Sequence, residues 1–237
     1  MANQEIISSD RRVLFKHLSL QVFNTLSNLS KESPVIGLCG GRSIAAVCEG
    51  LLEYQDQLSA TDWKRLQFFM VDERLVALDE EESNFRLVME LFFGKLLDAN
   101  LIDISQVHPF QFSPEKEGLG LFEYEEEFQK YGAVFDVVFL GVGEDGHIAA
   151  LFPQSKELGA SGEQFLSFKN SPKPPSGRMT SSPDRLKAAG LCVALFLGDA
   201  KQEALSRYRS SDVSYEQCPV KLIDSAQKSI VVSDLSE

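Results

Sequence analysis

Four short runs of this chain are apolar on both faces rather than on alternate residues: 34–39 (PVIGLC), 66–71 (LQFFMV), 135–142 (FDVVFLGV) and 191–197 (LCVALFL). A strand apolar on both faces needs cover on both sides. A parallel sheet wrapped by helices supplies that cover. Between the runs the apolar period changes to that of a helix. Leu14, Leu18, Val22, Leu26 and Leu29 mark one over 10–29. Further helices are expected over 43–58, over 84–97 with Ser83 as N-cap, over 121–131 and over 199–208, with a helical turn or two at 183–189. Short strands are expected at 165–168 and 229–232. The predicted fold is α/β: a three-layer α/β/α sandwich around a mostly parallel, Rossmann-like sheet.

The chain has 237 residues, with no repeat, no low-complexity tract and no linker long enough to separate domains. It reads as a single domain over 1–237. The opening MANQEIISSD has neither a basic leader nor an apolar stretch, so it does not read as a secretory signal. The longest apolar run, 188–198, is too short to span a bilayer. Cys39, Cys48, Cys192 and Cys218 show no C-x-x-C spacing and are expected to be buried free thiols of a reducing, cytoplasmic setting.

In parallel sheets, ligands bind beyond the carboxyl ends of the strands. The residues just past each run therefore carry the functional reading. After 34–39 come Gly40, Gly41, Arg42 and Ser43, then a helix. Glycines let the backbone approach a ligand closely, and the helix N-terminus offers free N–H groups with partial positive charge. That suits a phosphate, although the segment alone is also compatible with an ordinary tight turn. It is neither a Walker loop nor a G-x-G-x-x-G fingerprint.

After 66–71 come Asp72, Glu73 and Arg74. Arg74 could clamp an oxyanion or a phosphate, and Asp72 could steady it or move a proton. After 135–142 come Gly143, Glu144, Asp145, Gly146 and His147. Imidazole is the side chain suited to proton transfer near neutral pH. Glu144 and Asp145 are both close enough in sequence to orient His147, and the sequence does not choose between them. His17, inside the first helix, and His108, in a His-Pro step, read as structural. No set of His, Cys and carboxylates has zinc-ligand spacing, so no metal is predicted. Finally, 171–178 (SPKPPSGR) sets Lys173 and Arg178 in a loop stiffened by its prolines.

The chain carries 23 Lys and Arg against 35 Asp and Glu, a net charge of −12. That field disfavours nucleic acid and anionic membranes as partners. Yet Arg42, Arg74, Lys173 and Arg178 all fall at predicted strand ends around His147. An acidic protein that gathers cations at one edge is expected to bind a small dianion there.

These motifs carry a resemblance. FFMVDERLV followed by SNFRLVMELFF, VFLGVGEDGHIAALFP, SPKPPSGRMTSS and GLCGGRS are similar to the motifs of the 6-phosphogluconolactonases, and they fall along the chain in that family's order. The resemblance runs from about residue 35 to about residue 190. It implies the glucosamine-6-phosphate deaminase-like fold and hydrolysis of 6-phosphoglucono-1,5-lactone to 6-phosphogluconate in the pentose phosphate pathway, without a cofactor. It implies His147 as the catalytic histidine, with Arg74, Lys173 and Arg178 as substrate or phosphate contacts. Gly40, Gly41, Arg42 and Ser43 would form a phosphate loop. Arg42 stands where that family usually has Ser, and Ile44 where Pro is common. The expected partner is a small anionic sugar-phosphate lactone, and the expected state a monomer or weak homo-oligomer.

In the expected mechanism, His147 takes a proton from water attacking C1 and returns it to the ring oxygen, with Asp145 beside it and Arg74 near the reacting end. No G-x-S-x-G elbow is present, and no serine nucleophile is needed. Two rival readings differ in what they demand. An aldose–ketose deaminase needs a carboxylate to move a proton between C1 and C2. Asp72 is available for that, but Arg74 stands where deaminases resemble Asp-Glu-Tyr. A non-catalytic sugar-phosphate sensor would keep the glycine and arginine contacts and have no use for His147.

Overall fold

The doubly apolar runs become the interior of one large sheet. A computed structural model describes residues 4–235, with strands β1 (Gln4–Ile7), β2 (Val35–Leu38), β3 (Gln67–Met70), β4 (Asp72–Arg74), β5 (Val107–His108), β6 (Val137–Gly141), β7 (Phe165–Phe168), β8 (Arg178–Ser181), β9 (Leu191–Phe196) and β10 (Ser229–Ser233). Seven strands form the main sheet in the order β1-β10-β9-β6-β2-β3-β5, and every pairing is parallel. The four runs supply β9, β6, β2 and β3, all at interior positions. The two edges, β1 and β5, were not expected from the sequence. β1 buries one residue of four, and β5 is two residues long, so neither has a detectable apolar pattern.

Helices α1 (Arg11–Ser27), α2 (Arg42–Glu53), α3 (Ala60–Arg65), α4 (Asn84–Val88), α5 (Gly94–Asp98), α6 (Leu121–Gln129), α7 (Pro183–Lys187) and α8 (Gln202–Arg209) flank the sheet. Between α4 and α5 the chain makes one wide π-turn, Met89–Phe93, rather than the single regular helix expected over 84–97. Helix α2 ends at Glu53, short of the expected residue 58, and a 3-10 turn, Gln55–Gln57, follows it. Ser83 caps α4 as expected, its hydroxyl accepting from the Arg86 N–H at 3.1 Å.

A second, three-stranded antiparallel sheet, β4-β8-β7, stands beyond the end of β3. Its β7 matches the strand expected over 165–168. The charged Asp72–Arg74 segment, which looks like a loop in sequence, pairs with β8 so that Arg74 faces Arg178. Arg185 of α7 anchors this sheet to α6. Its guanidinium is fully buried and holds the Glu125 carboxylate at two points, 2.9 and 2.6 Å. It also lies over the rings of Phe128 and Phe165, at 4.6 and 4.2 Å.

The order of the main sheet locates the site. From β2 the chain moves outward one way to β3 and β5. It then returns to β6 on the other side of β2 and moves outward the other way. The β2–β6 border is therefore the topological switch point, where the loops beyond the two strands diverge and leave a crevice. Among the described residues, no helix is long and apolar enough to cross a membrane. The four cysteines are all buried and free.

Candidate active site

A cavity of about 680 Å³ opens at this switch point. Its walls include Gly40 to Ser43 after β2, Asp72 and Arg74 after β3, Gly141 to Glu144 and His147 after β6, Lys173, and Gly198 to Lys201 after β9. The loops beyond β2, β3, β6 and β9 thus meet here with Lys173, and the β9 end is one the sequence does not flag.

Beyond β2, Gly41 is the N-cap of α2, and Arg42 and Ser43 begin the helix. These residues lie on the cavity wall, where an anion would meet the positive end of the helix. Gly40 makes a close approach. A Cβ there would sit 1.9 Å from Asn84 Oδ1, so the glycine is what admits the Asn84 carboxamide.

Beyond β3, the three charges do different work. Glu73 is 1% exposed and accepts the main-chain N–H groups of Arg74, Asn84 and Phe85, each at 2.7 Å. It therefore satisfies free N-terminal donors of α4. Burial nonetheless pushes its carboxyl pKa up, against the pull of those three bonds. Asn84 Nδ2 donates to the Asp72 carbonyl at 3.0 Å and to its Oδ2 at 3.2 Å. Asp72 lines the cavity, and its buried Oδ1 has no hydrogen-bond partner among the described residues. The Cys39 thiol lies beside Asp72. Burial first, and then the Asp72 carboxylate, push it well above its ordinary range. Arg74 is held by a bond from Nη1 to the Glu82 carbonyl, and its buried Nε has no hydrogen-bond partner among the described residues.

Beyond β6, the 143–147 turn closes on itself: Gly143 N–H donates to the His147 carbonyl at 2.8 Å and Gly146 N–H to the Gly143 carbonyl at 3.0 Å. His147 Nδ1 faces Asp145 Oδ1 within hydrogen-bond reach, and its ring packs on Phe152 with centroids 4.7 Å apart. Asp145, not Glu144, is the partner. Burial pushes the Asp145 carboxyl up, but the bond and charge of His147, aided by Lys173, outweigh it and hold the group well below the usual carboxylate range. An ionised Asp145 can accept a hydrogen bond from an Nδ1–H, the arrangement that would leave Nε2 unprotonated. Lys173 Nζ stands 3.8 Å from Asp145 Oδ1.

Arg178 differs from expectation. Its side chain does not line the cavity. It is 4% exposed and donates to the carbonyls of Gly177 and Lys173 at 3.0 Å and of Pro174 at 3.2 Å. Burial, then the facing Arg74, bring its pKa down to about 10. It braces the Lys173 loop from behind.

Several cavity residues escape the sequence reading, among them Asn84, Lys201 and Arg11. Asn84 hides behind its role in the first turn of a helix. Lys201 lies in the 3-10 turn after β9, in a region with no motif to flag it. Burial lowers its ammonium pKa; Glu144 opposes this, and Lys173 and Arg42 reinforce it, which places those three cations in one neighbourhood. Arg11 reaches the rim from α1 and pairs with Asp234 at 2.7 Å. The two weaker histidines lie elsewhere. His17 is exposed on α1. His108 stacks on Phe69 at 4.3 Å and its Nε2 bonds Gln67 Oε1 at 2.8 Å, a structural setting in which burial takes its pKa down to about 4.

Fold and cavity define a doubly wound α/β protein with an oriented histidine and several cations around a cleft at the switch point. Known proteins narrow the class. The family described as glucosamine-6-phosphate isomerases/6-phosphogluconolactonase matches residues 9–232. A 6-phosphogluconolactonase of Borreliella burgdorferi is 36% identical over 232 residues, covering 98% of this chain and 96% of the relative. One from Mycobacterium leprae is 29% identical over 213 residues, 84% of this chain and 83% of the relative. The crystal structure of the Thermotoga maritima 6-phosphogluconolactonase shares the fold, with a TM-score of 0.81 at 24% identity over 98% of this chain and 99% of that one. A monomeric glucosamine-6-phosphate deaminase shares it too, with a TM-score of 0.78 at 17% identity over 97% and 96%. The chain belongs to the glucosamine-6-phosphate isomerase/6-phosphogluconolactonase family.

Proposed function

We propose that this chain hydrolyses 6-phosphoglucono-1,5-lactone to 6-phosphogluconate, with His147 as general base. The carrying observation is the Asp145–His147 pair, set in the cleft with Nδ1 engaged. Water attacks C1 as His147 Nε2 takes its proton. The carbonyl oxygen gathers negative charge, which Arg74 is suited to hold. As the C1–ring oxygen bond breaks, the imidazolium returns the proton to the ring oxygen. Asp145 keeps the ring in the tautomer this needs and stabilises its charged form. Water is the only co-reactant. General base catalysis of this kind contributes about 10²–10⁴-fold.

The phosphate belongs with Gly40 to Ser43 at the start of α2, where Arg42 and Lys201 add charge, while Lys173 stands 3.8 Å from Asp145 Oδ1. Arg42 supplies a guanidinium where the family usually offers a hydroxyl. Binding the phosphate away from C1 supplies positioning energy for the reacting end. Four further readings complete the proposal: one domain over 1–237, a cytoplasmic setting, a place in the pentose phosphate pathway, and action as a monomer or weak homo-oligomer. The family match over 9–232 supports the first.

The deciding experiment supplies freshly made lactone and follows acid release against the spontaneous background, with His147→Ala as control. Acceleration by the unaltered chain and its loss in the variant is the expected result. Ammonia release from glucosamine 6-phosphate without lactone opening would overturn the reading in favour of the deaminase branch of the family.

A further inference from the structure

The histidine turn does not hold its shape alone. Two of its carbonyls are tied to α8 and the segment beyond it. Val220 N–H donates to the Gly146 carbonyl at 3.0 Å. Arg207, on α8, donates from Nη1 to the Asp145 carbonyl at 3.0 Å and from Nη2 to the Gln217 carbonyl. Cys218 fills the remaining space: Gly146 has φ +84°, and a Cβ there would lie 2.6 Å from the Cys218 sulfur. The 214–218 segment is itself a closed turn, with Cys218 N–H on the Ser214 carbonyl at 2.9 Å.

We propose that Arg207 is a positioning residue for His147. Its guanidinium spans two main-chain carbonyls, Asp145 and Gln217, and thereby fixes the backbone from which the Asp145 carboxylate reaches His147 Nδ1. A planar fork with fixed donor directions suits this bridge, where a single ammonium reaches only one acceptor well. Arg207 is not among the residues that line the cavity, so its effect passes through the Asp145 backbone and, by way of Gln217, through the turn that packs against Gly146. Small displacements of a catalytic group are costly: a shift of about 1 Å can lower a rate about 10²-fold.

This proposal rests on the lactonase reading for its kinetic arm, and a second arm is independent of it. In the kinetic arm, Arg207→Ala is expected to lower kcat about 10–100-fold with KM little changed. Arg207→Lys is expected to recover some of the loss, and added guanidinium ion to restore some of it in the alanine variant. Arg209→Ala, which removes only a surface pair with Glu5, is the control. A rise in KM at constant kcat, or a loss matched by the unfolded fraction, would overturn the proposal. The second arm follows the His147 imidazole by NMR. The downfield Nδ1 proton of the bond to Asp145 is expected to shift or broaden in Arg207→Ala while the other imidazole signals stay in place. An unmoved signal would overturn the proposal whatever the substrate. If the unaltered chain fails to open the lactone, the functional reading falls, and this second arm still decides the role of Arg207.

Discussion

Asn84 occupies the space that a side chain at residue 40 would need: its Oδ1 lies 1.9 Å from where a Gly40 Cβ would stand. Gly40 follows β2 and Asn84 opens α4, and both line the cavity together with Asp72. Gly40→Ala is therefore expected to cost about 1–3 kcal/mol in denaturant unfolding and to lower lactone hydrolysis. In the double variant with Asn84→Ala the stability loss should shrink, because Oδ1 and Cγ are gone and only the Cβ contact at 2.9 Å remains. Equal losses in the single and double variants would show that the clash is relieved elsewhere.

The Asp145–His147 pair separates chemistry from binding. His147→Ala is expected to lower kcat about 10²–10⁴-fold while KM stays close to its original value. Asp145→Asn should lower the same parameter by less, since the ring stays in place but loses its charged partner. Steady-state kinetics on fresh lactone decide, and near-normal kcat in His147→Ala would remove the base role.

Lys173 and Arg178 sit on one loop yet should fail differently. Lys173→Ala removes a cavity cation and is expected to raise KM about ten-fold or more with an unchanged melting midpoint. Arg178→Ala frees three loop carbonyls from their donor, so it should raise KM and lower the melting midpoint together. A rise in KM without any thermal effect would place Arg178 in direct contact with substrate instead.

His108 gives the fold a pH dependence of known sign. Burial, opposed by Glu127 and aided by Lys130, takes its pKa down from 6.5 to about 4. The unfolded chain therefore binds this proton near pH 6.5, and the folded chain only near pH 4. Stability from this group is complete above pH 6.5 and is lost as pH falls toward 4, by up to about 3 kcal/mol. Urea unfolding at pH 7 and pH 4.5 should show the loss, and His108→Gln should flatten the slope. An equal slope in the variant would assign the effect to other groups.

The legibility of this protein tracks burial. β2, β3, β6 and β9 were visible because interior parallel strands must be apolar on both sides. β1 and β5 were not, because edge strands need not be. The β4-β8-β7 sheet was nearly invisible, since Asp72 to Arg74 are charged and only the fold shows that Glu73 caps a helix. Gly40 to Ser43, Arg74, Lys173 and His147 were found because they lie just beyond readable strands or in a conspicuous proline loop. Asn84 lies within the quoted SNFRLVMELFF motif but reads there only as the start of a helix, whereas Lys201 and Arg207 were missed because helices and turns brought them in from positions that no motif marks. Arg178 does belong to a cationic loop, while the direction of its side chain depends on packing that sequence does not state.

The π-turn at Met89–Phe93 has its own consequence. A regular α-helix advances about 100° per residue, so one wide turn resets the phase between the helical segments on its two sides. Asn84 can thus answer to the crevice while Phe92, Phe93 and Leu96 answer to the interior. Removing one residue from that turn would force a choice between the two allegiances, and whichever end yielded, either the carboxamide or the aromatic packing would face the wrong way.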